Sequence, residues 1–257
     1  MRSVLDTTQP IGVMAAMPEE IAAIDRALTD RCVETRGLRE YHTGRLFGRE
    51  VVLVMARVGK VAAASTATHL LCEFGVGGIV MTGVAGGVGD ATHVGDVVIA
   101  SETVQHDLDA SPLFPRFEAP LLGVSRFEAW PDDVDRAAQA ARRFLAEDLT
   151  GALGAERLAA LGVAGPRVHT GLVATVDRFI TATDEAAAIR ELLPDALAVE
   201  MEGAAVAQVC HEHGGGALII RAISDRADDH ATDAFTRSLP EIASVYSAGI
   251  LRRLFAG

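Results

Sequence analysis

Short apolar runs alternate along this chain with longer segments whose apolar residues recur at helical spacing. The apolar runs predict buried β-strands over Ile11–Met17, Glu50–Ala56, Gly78–Thr82, Asp96–Ser101, His169–Thr175, Leu197–Met201 and Ala217–Ile223. The helical spacing predicts helices over Pro18–Leu28, Lys60–Phe74, Asp133–Leu161, Thr183–Leu193, Gly203–His213 and Leu239–Phe255. Tyr41–Arg45 is predicted to pair with Glu50–Ala56 through the turn Leu46–Arg49. This alternation, without linker or repeat, predicts a single domain over residues 1–257, an α/β fold of three layers, α/β/α, around a central mixed β-sheet.

One segment interrupts this alternation. Residues 106–132 contain several prolines, with Phe114 and Phe117 near the start. We therefore predict a long irregular loop there, and long loops inside compact domains are often functional.

The composition narrows the possible function classes. The chain has 257 residues, of which 49% are hydrophobic and 23% are charged, an ordinary mix for a globular protein with a large core. Because 23 Lys+Arg face 35 Asp+Glu, the net charge is −12. A chain with this balance offers no broad basic face, so neither nucleic acid nor an anionic membrane is an expected partner.

Cysteine usage and hydropathy indicate the cytoplasm. Cys32, Cys72 and Cys210 are odd in number and far apart, so no disulfide framework or CxxC pair is predicted. No apolar run reaches transmembrane length, and the N-terminal residues contain no signal-peptide stretch. His211 and His213 form an HxH pair, but at a helix end beside glycines such a pair is more typical of a surface or capping role than of a metal site. We expect a cytoplasmic protein with no metal and no other cofactor.

Polar residues follow four of the predicted strands, where ligands bind in α/β folds. Glu19 and Glu20 follow the first strand, and the glycine cluster 83–87 follows Gly78–Thr82. The run 200–202 (EME) follows another strand, and Ser224 and Asp225 follow the last, which itself contains Arg221. If these strand ends converge, they bring several carboxylates into a partly apolar site, where their pKa values can be tuned for acid and base chemistry.

Each of these features also has a purely structural interpretation. Glu20 suits the positive end of a helix, and Glu202 and Asp225 suit helix caps or first turns. Arg221 could simply pair with Glu200. The glycine cluster does not fit the spacing of a dinucleotide or P-loop motif, so it predicts a turn or a close backbone approach, for example at Ala85 and Gly86.

Six stretches taken together carry a family resemblance: Ala15–Ile24 (AAMPEEIAAI), Arg57–Ala64 (RVGKVAAA), Thr82–Ser101 (TGVAGGVGDATHVGDVVIAS), the HD pair at 106–107, Ala198–His211 (AVEMEGAAVAQVCH) and Arg221–Asp228 (RAISDRAD). Their order and residues resemble the nucleoside phosphorylase/nucleosidase superfamily, most closely its 5′-methylthioadenosine/S-adenosylhomocysteine nucleosidase branch. The resemblance covers nearly the whole chain and implies a nucleoside phosphorylase-like fold.

The resemblance implies a division of catalytic labour among carboxylates. Glu20 corresponds to the acid/base group that activates the attacking water, and Asp225 to the acid that donates a proton towards purine N7. Ser224 corresponds to the neighbour that holds this aspartate, and Glu202 to the glutamate that grips the ribose hydroxyls. These roles agree with the two-carboxylate logic of sugar hydrolysis, in which one group protonates the leaving group and another activates water.

The resemblance also implies an apolar lining for base and sugar. Met201 corresponds to a residue against the sugar, Phe179 and Ile180 to the residues that hold adenine, and Met17 and Phe235 to contacts around the ribose and 5′-substituent. Ala85, Gly86 and Arg221 complete the predicted substrate-binding set. Phe114 is expected to reach the pocket of the partner subunit, because the family resemblance implies a homodimer.

The superfamily contains both hydrolases and phosphorylases, so the phosphate site decides between them. Val84 stands where the phosphorylases carry a serine, and valine offers phosphate neither a hydrogen bond nor a charge. Glu20 would also repel a dianion, and Arg57 is the candidate for partial compensation. Val84 and Pro18 also depart from the common nucleosidase pattern, which leaves the 5′-substituent open.

We therefore predict a purine nucleosidase that cleaves the N-glycosidic bond of 5′-thio-substituted adenosines. 5′-Deoxyadenosine and a futalosine-type compound stay open as alternative substrates. Two alternatives stay open from the residues alone. One is a phosphate-dependent purine nucleoside phosphorylase, and the other is a nucleoside-binding module that has lost catalysis.

Overall fold

The computed structural model describes residues 3–256 as one mixed β-sheet covered by helices on both faces. The strands are β1 Ile11–Ala15, β2 Thr29–Arg36, β3 Arg39–Leu46, β4 Arg49–Met55, β5 Gly78–Gly87, β6 Val97–Gln105, β7 Arg126–Glu128, β8 Val168–Thr175, β9 Ala196–Glu200 and β10 Gly216–Asp225. The helices are α1 Pro18–Ala27, α2 Lys60–Cys72, α3 Pro131–Arg143, α4 Leu149–Leu153, α5 Ala155–Ala160, α6 Thr183–Leu192, α7 Gly203–Glu212, α8 Ala231–Glu241 and α9 Ser247–Phe255. The predicted α/β class with a central mixed sheet is confirmed.

The strand order gives the sheet two parts. Strands β5, β10, β6, β8 and β9 form a closed ring, because β10 pairs with both β6 and β5. Strands β1, β4, β3 and β2 extend the sheet from β5, and β2 is its last strand. No helix within residues 3–256 combines the length and apolarity needed to cross a bilayer.

Two apolar cores lie on opposite faces of the sheet. Along β10, Leu218 and Ile220 belong to the core that also contains residues of α1, α3 and α9. Ala217 and Ile219 alternate with them and belong to the core that contains residues of α2 and α7. This period of two is the expected side-chain pattern of a strand buried on both faces, and it explains why the apolar runs were visible in the sequence.

Several predicted boundaries were wrong at strand ends. The glycine cluster is not a turn but the second half of β5, and Ser224 and Asp225 lie inside β10 rather than after it. β6 continues to Gln105, and the predicted loop at 106–132 contains the short strand β7, which pairs with β6. Pairing with neighbouring strands extends these elements beyond their apolar runs.

Other elements were missed or divided. β2 was missed because all of its residues are exposed, so it carries no apolar pattern. Most of α8 was also missed. The final helix predicted over Leu239–Phe255 corresponds to the end of α8, a π-helical turn over Ile242–Tyr246, and α9. The predicted long helix Asp133–Leu161 is broken by a π-helical turn at Phe144–Asp148 and by Gly154, whose φ is +79°.

The parallel strands bring the predicted site residues to one edge of the sheet. β1 pairs in parallel with β5, and β5 in parallel with β10, so their carboxyl ends lie side by side. Asp225 is opposite Gly86, and Gly86 is also opposite Val199 of the antiparallel strand β9. Only two residues separate the end of β1 from the start of α1, so the first turn of α1 lies at the same edge.

Candidate active site

A cavity of about 230 Å³ opens at this edge of the sheet. Every predicted site residue except Arg221 and Phe114 lines it: Met17, Glu20, Ala85, Gly86, Phe179, Ile180, Met201, Glu202, Ser224, Asp225 and Phe235. The lining combines four buried acidic residues, Glu20, Glu200, Glu202 and Asp225, with apolar walls, which is the composition expected of a small-molecule site.

Glu20 is held by three backbone N–H groups. Its Oε2 accepts from the N–H of Ala16 at 2.7 Å and of Met17 at 2.9 Å, and its Oε1 accepts from the N–H of Val84 at 3.0 Å. Pro18 begins α1, and Glu20 caps this first turn, so the structural role suggested by the sequence is present. Burial nevertheless raises the pKa of Glu20 above its ordinary value, against the lowering effect of Arg221 and these N–H groups.

Gly83 lets β5 pass between charged groups. A β-carbon at this position would overlap both the Glu20 carboxylate and the Arg221 guanidinium. Gly86 is similar, because its β-carbon would lie 3.0 Å from Asp225 Oδ1. The glycines therefore allow a close approach of backbone to site side chains, which was one of the two interpretations open from the sequence.

Glu200 and Glu202 have different surroundings. Glu200 accepts hydrogen bonds from Thr175, from Arg221 and from the N–H groups of Glu202 (2.9 Å) and Gly203 (2.7 Å), so its carboxylate is saturated by protein partners. Glu202 accepts from the N–H of Gly59 at 2.9 Å and lies 3.4 Å from Arg221 Nη2. Burial and the like charge of Glu200 raise the pKa of Glu202 to about 8.

Arg221 does not line the cavity but lies fully buried beneath it. Its Nη2 donates hydrogen bonds to Glu200 and to Glu202, and it lies 3.5 Å from the sulfur of Met81. Within the described part of the chain its Nε and Nη1 have no hydrogen-bond partner. The pairing of Arg221 with Glu200 that the sequence suggested is present. The Nη1 group of Arg221 lies near the Glu20 carboxylate, on the same side of Gly83.

Asp225 is a buried carboxyl group with few stabilising partners. Ser224 Oγ donates to Oδ2 at 2.8 Å, and the N–H of Ala227 donates to Oδ1 at 2.8 Å. Burial raises the pKa of Asp225, and these two hydrogen bonds only partly oppose it. A carboxyl group of this kind is suited to hold a proton and donate it into the cavity.

Aromatic and aliphatic side chains form the remaining walls. The rings of Phe179 and Phe235 lie 5.1 Å apart, and Phe179 is 40% exposed at the opening. Val58 and Arg178 also line the cavity and were not among the predicted site residues. Val58 lies inside a stretch that carried the family resemblance, and Arg178 lies next to Phe179, so sequence position was the available signal for both.

Arg57 and Phe114 lie away from the cavity of their own chain. Arg57 adopts a φ of +72° and donates from Nη2 to the carbonyl oxygen of Leu38 at 2.6 Å. It does not line the cavity, so the suggested compensation for phosphate at Arg57 is not supported. Phe114 is half-buried in the 106–132 segment. Among residues 3–256 no group of three His, Cys, Asp or Glu side chains is arranged to hold a metal ion.

The raised pKa of Glu202 predicts how stability depends on pH. Between the ordinary glutamate value near 4.5 and about 8, the folded protein binds more protons than the unfolded chain. The free energy of unfolding should therefore fall as pH rises through this window, and raised pKa values at Glu20 and Asp225 act in the same direction. Urea unfolding at several pH values across this window measures the slope of the unfolding free energy against pH.

Glu202→Gln should flatten this pH dependence, because the amide does not titrate. Glu191→Gln is the matched control, since Glu191 is an exposed glutamate of α6. Equal slopes in both variants would contradict the raised pKa of Glu202.

Comparisons with known proteins agree with this geometry. The family model described as the phosphorylase superfamily matches residues 10–256. The 5′-methylthioadenosine/S-adenosylhomocysteine nucleosidase of Actinobacillus succinogenes is 34% identical over 231 residues, covering 90% of this chain and 91% of that protein. The nucleosidase of the same name from Aeromonas salmonicida is 32% identical over 244 residues, covering 95% of this chain and 97% of its own.

Solved structures give the same result in three dimensions. The nucleosidase of Neisseria meningitidis in complex with methylthio-immucillin-A matches with a TM-score of 0.85 at 32% identity, over 96% of this chain and 99% of that one. The S. pneumoniae nucleosidase with a transition-state inhibitor, MT-ImmA, matches with a TM-score of 0.83 at 33% identity, over 96% of this chain and 99% of that one.

Proposed function

The chain belongs to the phosphorylase superfamily, and on that premise we propose that it is an enzyme that hydrolyses the N-glycosidic bond of 5′-methylthioadenosine and S-adenosylhomocysteine, releasing adenine and the thioribose. The observation that carries the proposal is one cavity whose lining includes three buried carboxyl groups with a raised pKa, those of Glu20, Glu202 and Asp225. 5′-Deoxyadenosine is a further proposed substrate of the same site.

Asp225 serves as the acid for the leaving group. Adenine leaves poorly as an anion, so protonation at purine N7 lowers the barrier for breaking the bond to the sugar. The Ser224 hydroxyl and the Ala227 N–H hold the Asp225 carboxyl group in place. Phe179 offers a ring face for the base, and Ile180 lines the same cavity.

Glu20 serves as the base for water. Its carboxylate oxygens are oriented by backbone N–H groups and therefore keep a defined position while a proton is taken up. The buried guanidinium of Arg221 lies close to the same carboxylate and stabilises its charged form from outside the cavity. Hydroxide then adds to the anomeric carbon as the bond to adenine breaks, and Glu20 holds the proton that water loses.

Glu202 serves to hold the ribose. A carboxylate on the sugar hydroxyls supports the positive charge that develops on an oxocarbenium-like ring. Met201, Met17 and Phe235 provide apolar contacts for the sugar and its thioether substituent.

Water rather than phosphate is the proposed nucleophile. Val84 contributes an aliphatic side chain to the cavity, and Arg221 is already paired with Glu200 and Glu202. Glu20 is a third acidic partner of the same guanidinium, so the one buried positive charge is already matched by protein groups and is not available to a phosphate dianion. Hydrolysis and phosphorolysis give different sugar products, so the next experiment distinguishes a nucleosidase from a phosphorylase.

Adenine release from 5′-methylthioadenosine should proceed in phosphate-free buffer and should not accelerate when phosphate is added. Chromatography of the products distinguishes free methylthioribose from its 1-phosphate. Release that scales with phosphate would establish a phosphorylase, and tight nucleoside binding without release would establish a binding module.

A homodimer is the proposed assembly, with residues 106–120, the first part of the 106–132 segment, crossing between the subunits. Leu113 and Leu121 of this segment are 84% and 91% exposed, and Val61 of α2 is 82% exposed. The Lys60–Asp107 ion pair joins the start of α2 to the start of the segment, so these apolar side chains belong to neighbouring elements. Exposed apolar side chains that form one patch are typical of protein interfaces, so these three are the proposed apolar contacts of the dimer.

Sedimentation should show a dimer that the double variant Leu113→Arg/Leu121→Arg dissociates. Phe114→Ala should leave the dimer intact and raise KM for 5′-methylthioadenosine roughly tenfold, if Phe114 of the partner subunit closes the cavity. Leu38→Arg is the control, because Leu38 is equally exposed on the turn between β2 and β3. It should change neither the sedimentation of the dimer nor KM. A monomeric wild-type protein with full activity would contradict the assembly.

The cytoplasm stays the predicted location. Cys32, Cys72 and Cys210 are all free thiols, which is compatible with a reducing compartment.

A further inference from the structure

The start of α2 lacks a capping side chain of its own. Its N-cap residue is Gly59, whose φ is +98°. Asp177, 117 residues away, accepts the N–H of Lys60 on Oδ1 at 2.8 Å and so takes the place of a cap. The preceding N–H, that of Gly59, is taken by Glu202. Two carboxylates from distant segments therefore hold consecutive N–H groups at the positive end of one helix.

The side chain of Lys60 closes a cycle of contacts. Its Nζ donates to Asp107 Oδ1 at 2.6 Å, and Asp107 Oδ2 accepts the N–H of Asp177 at 3.0 Å. Burial alone would raise the pKa of Asp107, but the hydrogen bonds from Lys60 and Asp177 hold it below its ordinary value. Asp107 is therefore a carboxylate whose two oxygens join the end of β6, the start of α2 and the segment after β8.

This cycle joins the two halves of the cavity. Asp177 directly precedes Arg178 and Phe179, which line the base side. Gly59 directly follows Val58, another lining residue, and its N–H supports Glu202. Movement of the start of α2 would therefore change the support of Glu202 and the position of Phe179 together.

We propose that Asp177 is a positioning residue. Together with Lys60 and Asp107 it fixes the position of Phe179, which holds the base, relative to Glu202, which holds the ribose. The inference rests on the proposed function for its kinetic consequences. None of the three residues lines the cavity, so they act through the groups that do.

Asp177→Ala should raise KM for 5′-methylthioadenosine roughly tenfold to a hundredfold, the loss expected when a charged hydrogen bond to a backbone donor is removed. Asp177→Asn should restore most of this, because the amide oxygen still accepts the Lys60 N–H. Asp184→Ala, at an exposed acid in the first turn of α6, is the control and should match the wild type.

The pH profile of kcat/KM separates positioning from general loosening of the fold. The Gly59 N–H lowers the pKa of Glu202, so misplacing α2 should move the titration of Glu202 to higher pH in Asp177→Ala but not in Asp177→Asn. An unchanged KM and an unchanged profile in a folded Asp177→Ala protein would overturn the proposal, as would failure of Asp177→Asn to rescue.

Amide hydrogen exchange tests the same cluster without turnover. Asp177→Ala should speed exchange over residues 57–62, and Asp177→Asn should not. If the wild type releases no adenine, the proposed function fails, and this measurement still decides whether Asp177 holds the start of α2. Equal protection in the wild type and Asp177→Ala would reject the cluster.

Discussion

Asp225→Asn is expected to lower kcat for adenine release by about 10³-fold, within the range attributed to general acid catalysis. Asparagine has nearly the same shape and still accepts the Ala227 N–H on its amide oxygen, but it has no proton to transfer to purine N7. The leaving group must then depart as an anion or take its proton from water. Single-turnover measurement of adenine release gives the rate of this step directly.

Substrate binding should survive this substitution. The aromatic wall and the ribose contacts of the cavity do not depend on the charge of residue 225. Calorimetric titration with 5′-methylthioadenosine should therefore give an affinity within a few-fold of the KM of the wild type. Asp228→Asn makes the same chemical change three residues further on and should keep nearly full turnover. Full activity of Asp225→Asn would remove the acid role from this residue.

Glu20→Gln is expected to lower kcat by about 10²- to 10⁴-fold, because glutamine cannot take a proton from water. The substitution also alters the backbone contacts. Three N–H groups point at the carboxylate oxygens, so the amide nitrogen of glutamine must face at least one of them. A buried donor left unsatisfied should cost about 1–3 kcal/mol of unfolding free energy.

The two effects of Glu20→Gln can be separated. Urea unfolding measures the loss of stability, and initial rates at a temperature where the variant is fully folded measure catalysis. Glu19→Gln changes the neighbouring glutamate of the same helical turn, which does not line the cavity, and should leave both quantities close to the wild type. A Glu20→Gln protein that is less stable but equally fast would make Glu20 a structural cap only.

Strands buried on both faces were predictable because most of their residues are apolar, so a continuous apolar run marks them in the sequence. β2 was not predictable, since an edge strand forms by backbone pairing with β3 and buries none of its side chains. α8 shows the same limit, because its residues contain Pro240 and few large apolar side chains.

The identity of the site residues was predictable from the sequence, but their positions relative to one another were not. Their order along the chain and the motifs around them selected eleven residues that line one cavity. Arg221 lies below that cavity rather than in it, and Arg57 lies elsewhere, because the burial and direction of a long side chain depend on elements far away in the sequence.

The sequence by itself determined the α/β class, the buried strands and the carboxylates at their ends, because these follow from local periodicity and from which residues border an apolar run. Only the tertiary structure decided the chemistry of those carboxylates. The raised pKa of Glu202 depends on Glu200, Arg221 and the N–H of Gly59, which is 143 residues away. Desolvation and charge interactions act over a few ångströms in space, so they arise only once distant segments have met.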